Sequence, residues 1–554
     1  MNEDSDAGRD KWQSSDRSTS PDAGVETPPA SKIELIAGSG NSLAASLLQA
    51  LRQATNPDRV SLRSPEDSVS AHANFVYLPS AANRDGMTPD LAEAHRIFQQ
   101  YGRARGNRFI LLSSALIYGT GPSRLSMVGE TYVAPRDGKE SVWRAWRSLE
   151  AAANDSLEEK SLVVLRAATV LPSHSVLSRR LMRRLTITLP GRNPMVQILS
   201  PADLTQAVLR AVESHRCGVF NVAPDGAVPL HAAIRIAGSY RIPVPGIVQR
   251  LIRKRETLDY LRYPWTVSNH AGKEQLGFAP TKSSVTTLLE HRGQGKVVVE
   301  RAFDEFGMDP EYIRFWSKTL FRFLCDVYWR IEARGTEHIP RDGRAVLVGT
   351  HRGFMPWDGV MALHLVVKET GRFPRFLTHP GLFKFPFISS LMTRLGGVIA
   401  CQESAARVLE ADEVLGIYPE GVRGALALHR NAYQIQPSWQ NTFVKLALRH
   451  RAPIVPFVNV GSADSLPVFA QIKSRFWTRY ADWPCIPVST FPFLPLPLPS
   501  KWHVEFLPAI HVEQQYPPES AEDAALVKKI GLEVKGRMQE TMERIARGRR
   551  SVFF

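Results

Sequence analysis

The chain has 554 residues, 44% apolar and 22% charged, proportions of a folded chain of two to four domains and unlike those of a disordered, collagenous or coiled-coil protein. Its formal net charge of +15 points to a polyanionic partner, for which nucleic acid, anionic lipid and phosphorylated substrates all qualify. No cationic stretch followed by an apolar core opens the chain, and no uncharged apolar run reaches the roughly 18 residues of a spanning helix, so neither a secretory signal nor a membrane span is expected.

Residues 1–30 are rich in Ser, Asp and Pro. Seven acids (Glu3, Asp4, Asp6, Asp10, Asp16, Asp22, Glu26) against three bases (Arg9, Lys11, Arg17) give them a local charge of −4. With little to bury, they read as a disordered tail. From Ser31 short apolar runs alternate with helical stretches: a strand over 33–37, a helix over 43–52, then strands over 75–78, 108–113 and 162–165. That alternation predicts a parallel sheet covered on both faces. The unit runs over 31–292, and Gly293-Gln294-Gly295 opens a linker extending to residue 312.

A second α/β unit occupies 313–554. Ile313, Trp316, Leu320, Leu324, Val327 and Ile331 make one stripe at helical spacing, and Arg314, Lys318, Arg322 and Arg330 another. This pattern suits either a core helix with a solvated face or a basic amphipathic helix on an anionic membrane. Strands are expected over 345–348, 414–418 and 454–460. Cys217, Cys325, Cys401 and Cys485 lie too far apart for a metal clip, so reduced cysteines and no metal site are expected.

The first strand leads into Gly38-Ser39-Gly40-Asn41-Ser42-Leu43-Ala44. A glycine-rich turn opening a helix offers backbone N–H groups to a pyrophosphate, which makes Gly38 and Gly40 candidate cofactor-binding residues. Further on come Ser113-Ser114-Ala115-Leu116-Ile117-Tyr118-Gly119, Leu165-Arg166-Ala167-Ala168-Thr169-Val170-Leu171, Pro201-Ala202-Asp203-Leu204 and Gly218-Val219-Phe220-Asn221-Val222-Ala223. Together these resemble the extended short-chain dehydrogenase/NAD-dependent epimerase family over about 31–290, which implies a Rossmann-like doubly wound parallel sheet. That family uses a Tyr-x-x-x-Lys pair for proton exchange. The matching stretch here is Trp143-Arg144-Ala145-Trp146-Arg147, followed by Glu150, and an indole has no ionisable hydroxyl. Asn41 and Ala44 replace small glycines, and Arg63 stands where an acid binds ribose. The resemblance therefore implies a degenerate unit that performs no redox chemistry. NAD(P) binding stays open beside roles as scaffold, sensor or docking module.

Arg179, Arg180, Arg183 and Arg184 form one basic cluster, and Arg250, Arg253, Lys254 and Arg255 another. They read as solvated helix faces or as sites drawn to lipid headgroups. Nucleic acid is not an expected partner, because no recognised binding module accompanies the charge.

In the second unit, strand 345–348 runs into Gly349-Thr350-His351-Arg352-Gly353-Phe354-Met355-Pro356-Trp357-Asp358. A histidine past a strand with a carboxylate a short loop later can form a base and its orienter. Strand 414–418 leads into Pro419-Glu420-Gly421-Val422-Arg423, a turn that brings together a carboxylate and a guanidinium suited to phosphate. With Gly396-Gly397-Val398-Ile399-Ala400 before Gln402, and with Val455-Pro456, these blocks resemble the phospholipid/glycerol acyltransferase family, typified by 1-acylglycerol-3-phosphate acyltransferases, over about 313–545.

The resemblance implies an α/β glycerolipid acyltransferase domain and direct transfer without a covalent enzyme intermediate. His351 and Asp358 are then the catalytic pair, with His351 as general base. Pro419, Glu420, Gly421 and Arg423 bind substrate. The donor is an acyl thioester, acyl-coenzyme A or acyl carrier protein, with no further cofactor. The acceptor is a hydroxyl of a glycerolipid such as lysophosphatidate, and the expected location is peripheral, on the cytoplasmic face of an anionic membrane. Segments 382–388 and 491–499 are candidate walls for an acyl channel. Two departures stand out: six residues separate His351 from Asp358 where the family has four, and Gln402 stands where an arginine is common. The rival readings are a surviving nucleotide-sugar epimerase or reductase and a non-catalytic lipid-surface scaffold.

Overall fold

A computed structural model describes residues 32–37, 42–67, 73–82, 87–101, 108–120, 127–133, 141–157, 161–171, 173, 176–244, 260–263, 265–292, 306–353, 355–384, 387–474, 478, 483–490 and 497–553. The N-terminal half is built on β1 (Lys32–Ala37), β2 (Val60–Arg63), β3 (Ala73–Leu78), β4 (Phe109–Ser114), β5 (Leu162–Ala167) and a later strand, Gly218–Val222. All six pair in parallel, with β1 inside: the order is β2, β1, β3, β4, β5, then 218–222. This is a doubly wound Rossmann-like sheet whose direction of winding reverses beside β1.

β3 reads Ala-Asn-Phe-Val-Tyr-Leu and is buried throughout, as a strand covered on both faces must be. Helices α1 (Ser42–Ala54) and α2 (Pro201–Glu213) pack together, as do helices 91–101 and 141–156. Ser200 caps α2 by accepting from the Asp203 N–H, and proline occupies its first turn, a standard helix start. Beside the main sheet, β6 (Leu185–Thr188) and β7 (Tyr240–Pro243) form a separate two-stranded parallel ribbon.

The C-terminal half holds a seven-stranded sheet. Its strands are β8 (Glu332–Arg334), β9 (Ala345–Gly349), β10 (Arg375–Thr378), β11 (Val398–Ile399), β12 (Val414–Ile417), β13 (Ile454–Val460) and β14 (His503–Phe506). The order is β8, β14, β13, β9, β12, β10, β11, with β14 antiparallel to β13 and the other pairs parallel. Val346 and Val348 enter one core with helices 442–449 and 524–548, and Leu347 enters another with helix 357–370, the two-fold alternation of a strand buried on both sides.

The long amphipathic helix expected from residue 313 breaks at Thr319, whose φ and ψ are −115° and −98°, and ends in a π turn at Leu324–Tyr328. A π turn inserts an extra residue and rotates the following face. Leu320, beside the break, and Val327, within the π turn, are exposed, together with Phe315 and Phe323, so the apolar stripe is not buried along its length. The segment is anchored instead by Trp329, stacked on Trp502 with ring centroids 4.2 Å apart. Asp309 caps the helix start and Phe306 packs into the C-terminal core, so this unit's packing begins ahead of residue 313. The two halves touch directly: Met127 of the first lies in the second's core cluster, Arg407 Nη1 donates to Ser268 Oγ at 3.1 Å, and the Phe387 N–H donates to the Gly191 carbonyl at 2.9 Å.

Candidate active site

In a parallel α/β sheet, ligands collect beyond the carboxyl ends of the strands. The loops after β9, β10, β11 and β12 meet there around a cavity of about 690 Å³, within the range of small-ligand sites. Its lining includes His351, Asp358, Gln402 and Arg423 together with the apolar Leu363, Phe376, Met392, Leu395, Phe443 and Leu446.

His351 follows β9 directly, and Asp358 sits in the first turn of α3 (Trp357–Thr370). The intervening loop turns back through Gly353, at φ +88° and packed against the Ser462 carbonyl, a conformation glycine reaches without steric cost. His351 Nδ1 thereby lies 2.6 Å from Asp358 Oδ2 despite the long spacing. The Asp358 carboxylate is buried and also accepts from the backbone N–H groups of Arg352 (2.9 Å) and Gly359 (2.8 Å). Such a carboxylate fixes the imidazole with its proton on Nδ1 and leaves Nε2 as the acceptor. The His351 ring stacks on Tyr418, centroids 4.8 Å apart.

After β12, Gly421 adopts φ +57° and its N–H bonds the Tyr418 carbonyl, closing the Pro419–Arg423 turn. A Cβ on Gly424 would stand 3.1 Å from the His351 carbonyl oxygen, so glycine here lets the loops after β9 and β12 touch. Pro419 lines the cavity and its carbonyl accepts from the Gln440 N–H. Arg423 is exposed and, among the described residues, has no hydrogen bond or ion pair.

Glu420 departs from the expectation that it meets substrate beside Arg423. It is buried, one carboxylate oxygen taking Arg352 Nη1 at 2.8 Å and the other the Gln436 N–H at 2.6 Å. The guanidinium it pairs with is Arg352, not Arg423, and its oxygens are used inside the protein. Arg352 itself is buried, donating also to the carbonyls of His351, Ala432 and Gln434. Sequence reasoning missed Arg352; the available signal was an arginine adjoining the histidine within a block that had to be buried. Tyr418 was missed as well. Its hydroxyl is buried with no hydrogen-bond partner among the described residues, and burial pushes its pKa well above the ordinary phenol value. Gln402 opens the helix Gln402–Glu410 and lines the cavity, as do Gly397, Ala400 and Leu382. Residues 491–496 of the second expected channel wall lie outside the described residues.

In the N-terminal half, Gly38 and Gly40 lie outside the described residues, as do Arg250, Arg253, Lys254 and Arg255. Around the ends of β4 and β5 the polar groups bond one another. Ser113 Oγ donates to Glu150 at 2.5 Å, Arg166 pairs with Glu150 at 2.7 Å, and Tyr118 OH accepts from Arg166 and donates to Asn221, each at 2.7 Å. Burial pushes the Tyr118 phenol up to about 12. Trp143 is buried and Arg147 exposed, while Arg63 Nε lies 2.8 Å from the buried Glu34. The residue aligned with the family's proton-exchanging tyrosine, Trp143, carries no hydroxyl, and the hydroxyls of Ser113 and Tyr118 are bonded within the protein.

A sequence profile described as Acyltransferase matches residues 330–460, which span the His351 and Arg423 loops. The chain belongs to the acyltransferase family. An uncharacterized protein of Mycobacterium tuberculosis is 34% identical over 281 residues, covering 49% of this chain and 76% of its own. One from Mycobacterium leprae is 32% identical over 300 residues, covering 52% and 78%. A human protein described as a DGAT1/2-independent enzyme synthesizing storage lipids is 29% identical over 172 residues, covering 31% of this acyltransferase and 52% of its own length. Among solved structures, the human epimerase family protein SDR39U1 with NADPH aligns with a TM-score of 0.38 and 16% identity, covering 48% of this chain and all of its own. MoeE5 with UDP-glucuronic acid and NAD aligns at 0.37 and 14%, covering 47% and 98%. No helix among the described residues of this acyltransferase is long and apolar enough to cross a membrane, no metal-holding cluster occurs among them, and no disulfide joins the four cysteines.

Proposed function

We propose that this acyltransferase moves a fatty acyl group from a thioester, on coenzyme A or acyl carrier protein, to a free hydroxyl of a glycerolipid of the lysophosphatidate type. The supporting observation is the His351–Asp358 pair, 2.6 Å apart in the lining of a cavity with apolar walls. His351 Nε2 takes the proton of the acceptor hydroxyl while Asp358 holds the tautomer, and the acceptor oxygen attacks the thioester carbonyl. Collapse of the tetrahedral species forms the ester and expels the thiolate, which recovers the proton from His351. Tyr418, with its unpartnered hydroxyl beside the histidine, supplies an O–H donor. Arg423 holds an acceptor phosphate, since an unpaired guanidinium fits one through a bidentate fork. Arg352 and Glu420 position these loops without touching substrate.

The reaction takes place peripherally, on the cytoplasmic side of an anionic membrane, with exposed Phe315, Phe323 and Val327 and the bases Arg314, Lys318 and Arg322 directed to lipid. The N-terminal half contributes no redox step and no nucleic acid is bound. Purified protein given labelled acyl thioester should acylate lysophosphatidate, lysophospholipid or a neutral glycerolipid, and His351→Ala should lower turnover by about 10²–10⁴-fold. Turnover unchanged in a folded His351→Ala protein sinks the mechanism, and no transfer from either donor to any acceptor sinks the function.

A further inference from the structure

The N-terminal half carries a surface whose side chains are distributed the wrong way round for water. In the β6/β7 ribbon, Leu185 pairs with Tyr240 and Ile187 with Ile242. A strand lying on a core points its apolar residues inward and its polar ones outward. Here Thr186 and Thr188 are each 1% exposed, while Leu185 is 57% and Tyr240 75% exposed, with Ile187 and Ile242 also open. The inversion is held by hydrogen bonds: Thr186 Oγ1 donates to the Arg180 carbonyl at 2.7 Å and lies 2.8 Å from Ser239 Oγ. Exposed Met182 extends the same patch.

The charged residues of the two segments that carry this patch have one sign. Arg183, Arg184, Arg235 and Arg241 are exposed, Arg179 and Arg180 half-buried, and neither 176–199 nor 228–244 contains an Asp or Glu. An apolar face whose own two segments carry cations and no acid complements an anionic bilayer, whose headgroups take the guanidinium groups while its interfacial region takes the apolar side chains.

The patch also adjoins the acyl cavity. Just beyond β6, the Gly191 carbonyl accepts from the N–H of Phe387, a side chain 71% exposed. Phe387 precedes helix Ile388–Arg394, in which Leu391 is exposed and Met392 lines the cavity, as does Leu395 just after it.

We infer that the outer face of the β6/β7 ribbon docks on an anionic lipid bilayer and sets the cavity's Phe387 edge against the membrane. The assignment of bilayer lipid as the occupant rests in part on the proposed glycerolipid reaction. The test is sedimentation of the full chain with vesicles of phosphatidylcholine alone and of phosphatidylcholine mixed with phosphatidylglycerol. It compares the parent with an apolar variant, Leu185→Ser with Tyr240→Ser, and a charge variant, Arg183→Glu with Arg184→Glu.

Each variant should bind the anionic vesicles about tenfold more weakly or worse, while melting like the parent and transferring acyl groups normally to an acceptor dispersed in detergent. If the apolar variant does not fold, the exposed arginine pair still decides. A parent that ignores anionic vesicles, or folded variants that bind them as the parent does, overturns the inference. So does a parent dimer that the variants convert to monomer with vesicle binding intact, which would make the patch a contact between copies. Transfer in detergent combined with ribbon-independent vesicle binding removes this inference and leaves the reaction standing; ribbon-dependent binding with no transfer does the reverse.

Discussion

Arg352 and Glu420 form a buried ion pair, 2.8 Å between Nη1 and Oε1 with both side chains at most 2% exposed, that fastens the loop after β9 to the turn after β12. Removing one member of a buried pair strands the other, at a cost of about 3–5 kcal/mol, whereas replacing both by apolar groups is far milder. Arg352→Met and Glu420→Met should each lower stability to denaturant by about that amount, and the double variant should lose well under the sum of the two single losses. Strict additivity in the cycle would show that the two loops are not held by this pair.

Arg423 is separated from Glu420 by two residues yet shares none of its bonds, standing exposed in the cavity lining. A charge-assisted hydrogen bond contributes about 1.5–3 kcal/mol, so Arg423→Ala should raise the KM for a phosphorylated acceptor by about tenfold or more and leave the donor KM unchanged. Steady-state kinetics with each substrate varied in turn decides. Equal rises in both would refute a specific hold on the acceptor phosphate.

Gln402 lies on the same cavity at the start of its helix. Supplying a guanidinium there should favour anionic acceptors: Gln402→Arg is expected to lower the KM for lysophosphatidate by about tenfold, with little change for a monoacylglycerol. A parallel shift for both acceptors would mean that residue 402 does not face the headgroup.

His364 is buried on α3, and neither ring nitrogen has a hydrogen-bond partner among the described residues. Burial, with Lys368 nearby, lowers its pKa from 6.5 to about 4. The unfolded chain therefore takes up a proton that the folded chain refuses as the pH falls from 6.5 towards 4. Above that window both forms are neutral and protonation adds no cost; within it stability declines, by up to about 3 kcal/mol at the lower end. His364→Leu should remove this decline, so that the variant's melting temperature gains on the parent's as the solution is acidified. A gap independent of pH would show that His364 does not titrate on unfolding.

The long buried strands of both sheets were legible because their signal is local: runs such as Phe-Ile-Leu-Leu after residue 108 have nowhere to go but a covered sheet, whereas the short strands 332–334, 375–378, 398–399 and 503–506 carry too few residues to show a period and were not expected. The His351, Asp358 and Arg423 positions were legible as spaced motifs, and the structure brings the first two together through a glycine at positive φ. Partnership across the sheet was not legible. Glu420 lies three residues before Arg423 but bonds an arginine 68 positions earlier, because β9 and β12 are neighbours in space, and strand adjacency is set by tertiary packing. The break at Thr319 and the π turn after it escaped for a related reason: a regular stripe assumes one unbroken helical period, which the packing of Trp329 against Trp502 does not preserve.

Met127, from the nucleotide-fold half, is buried in the core cluster of the acyltransferase half. The halves therefore share interior as well as surface, and neither is finished at its boundary. A protein cut between residues 292 and 306 would expose an apolar scar on the catalytic piece. Fusion in one chain then acts as an alignment device: a side chain of the N-terminal half is built into the interior of the half that carries the cavity.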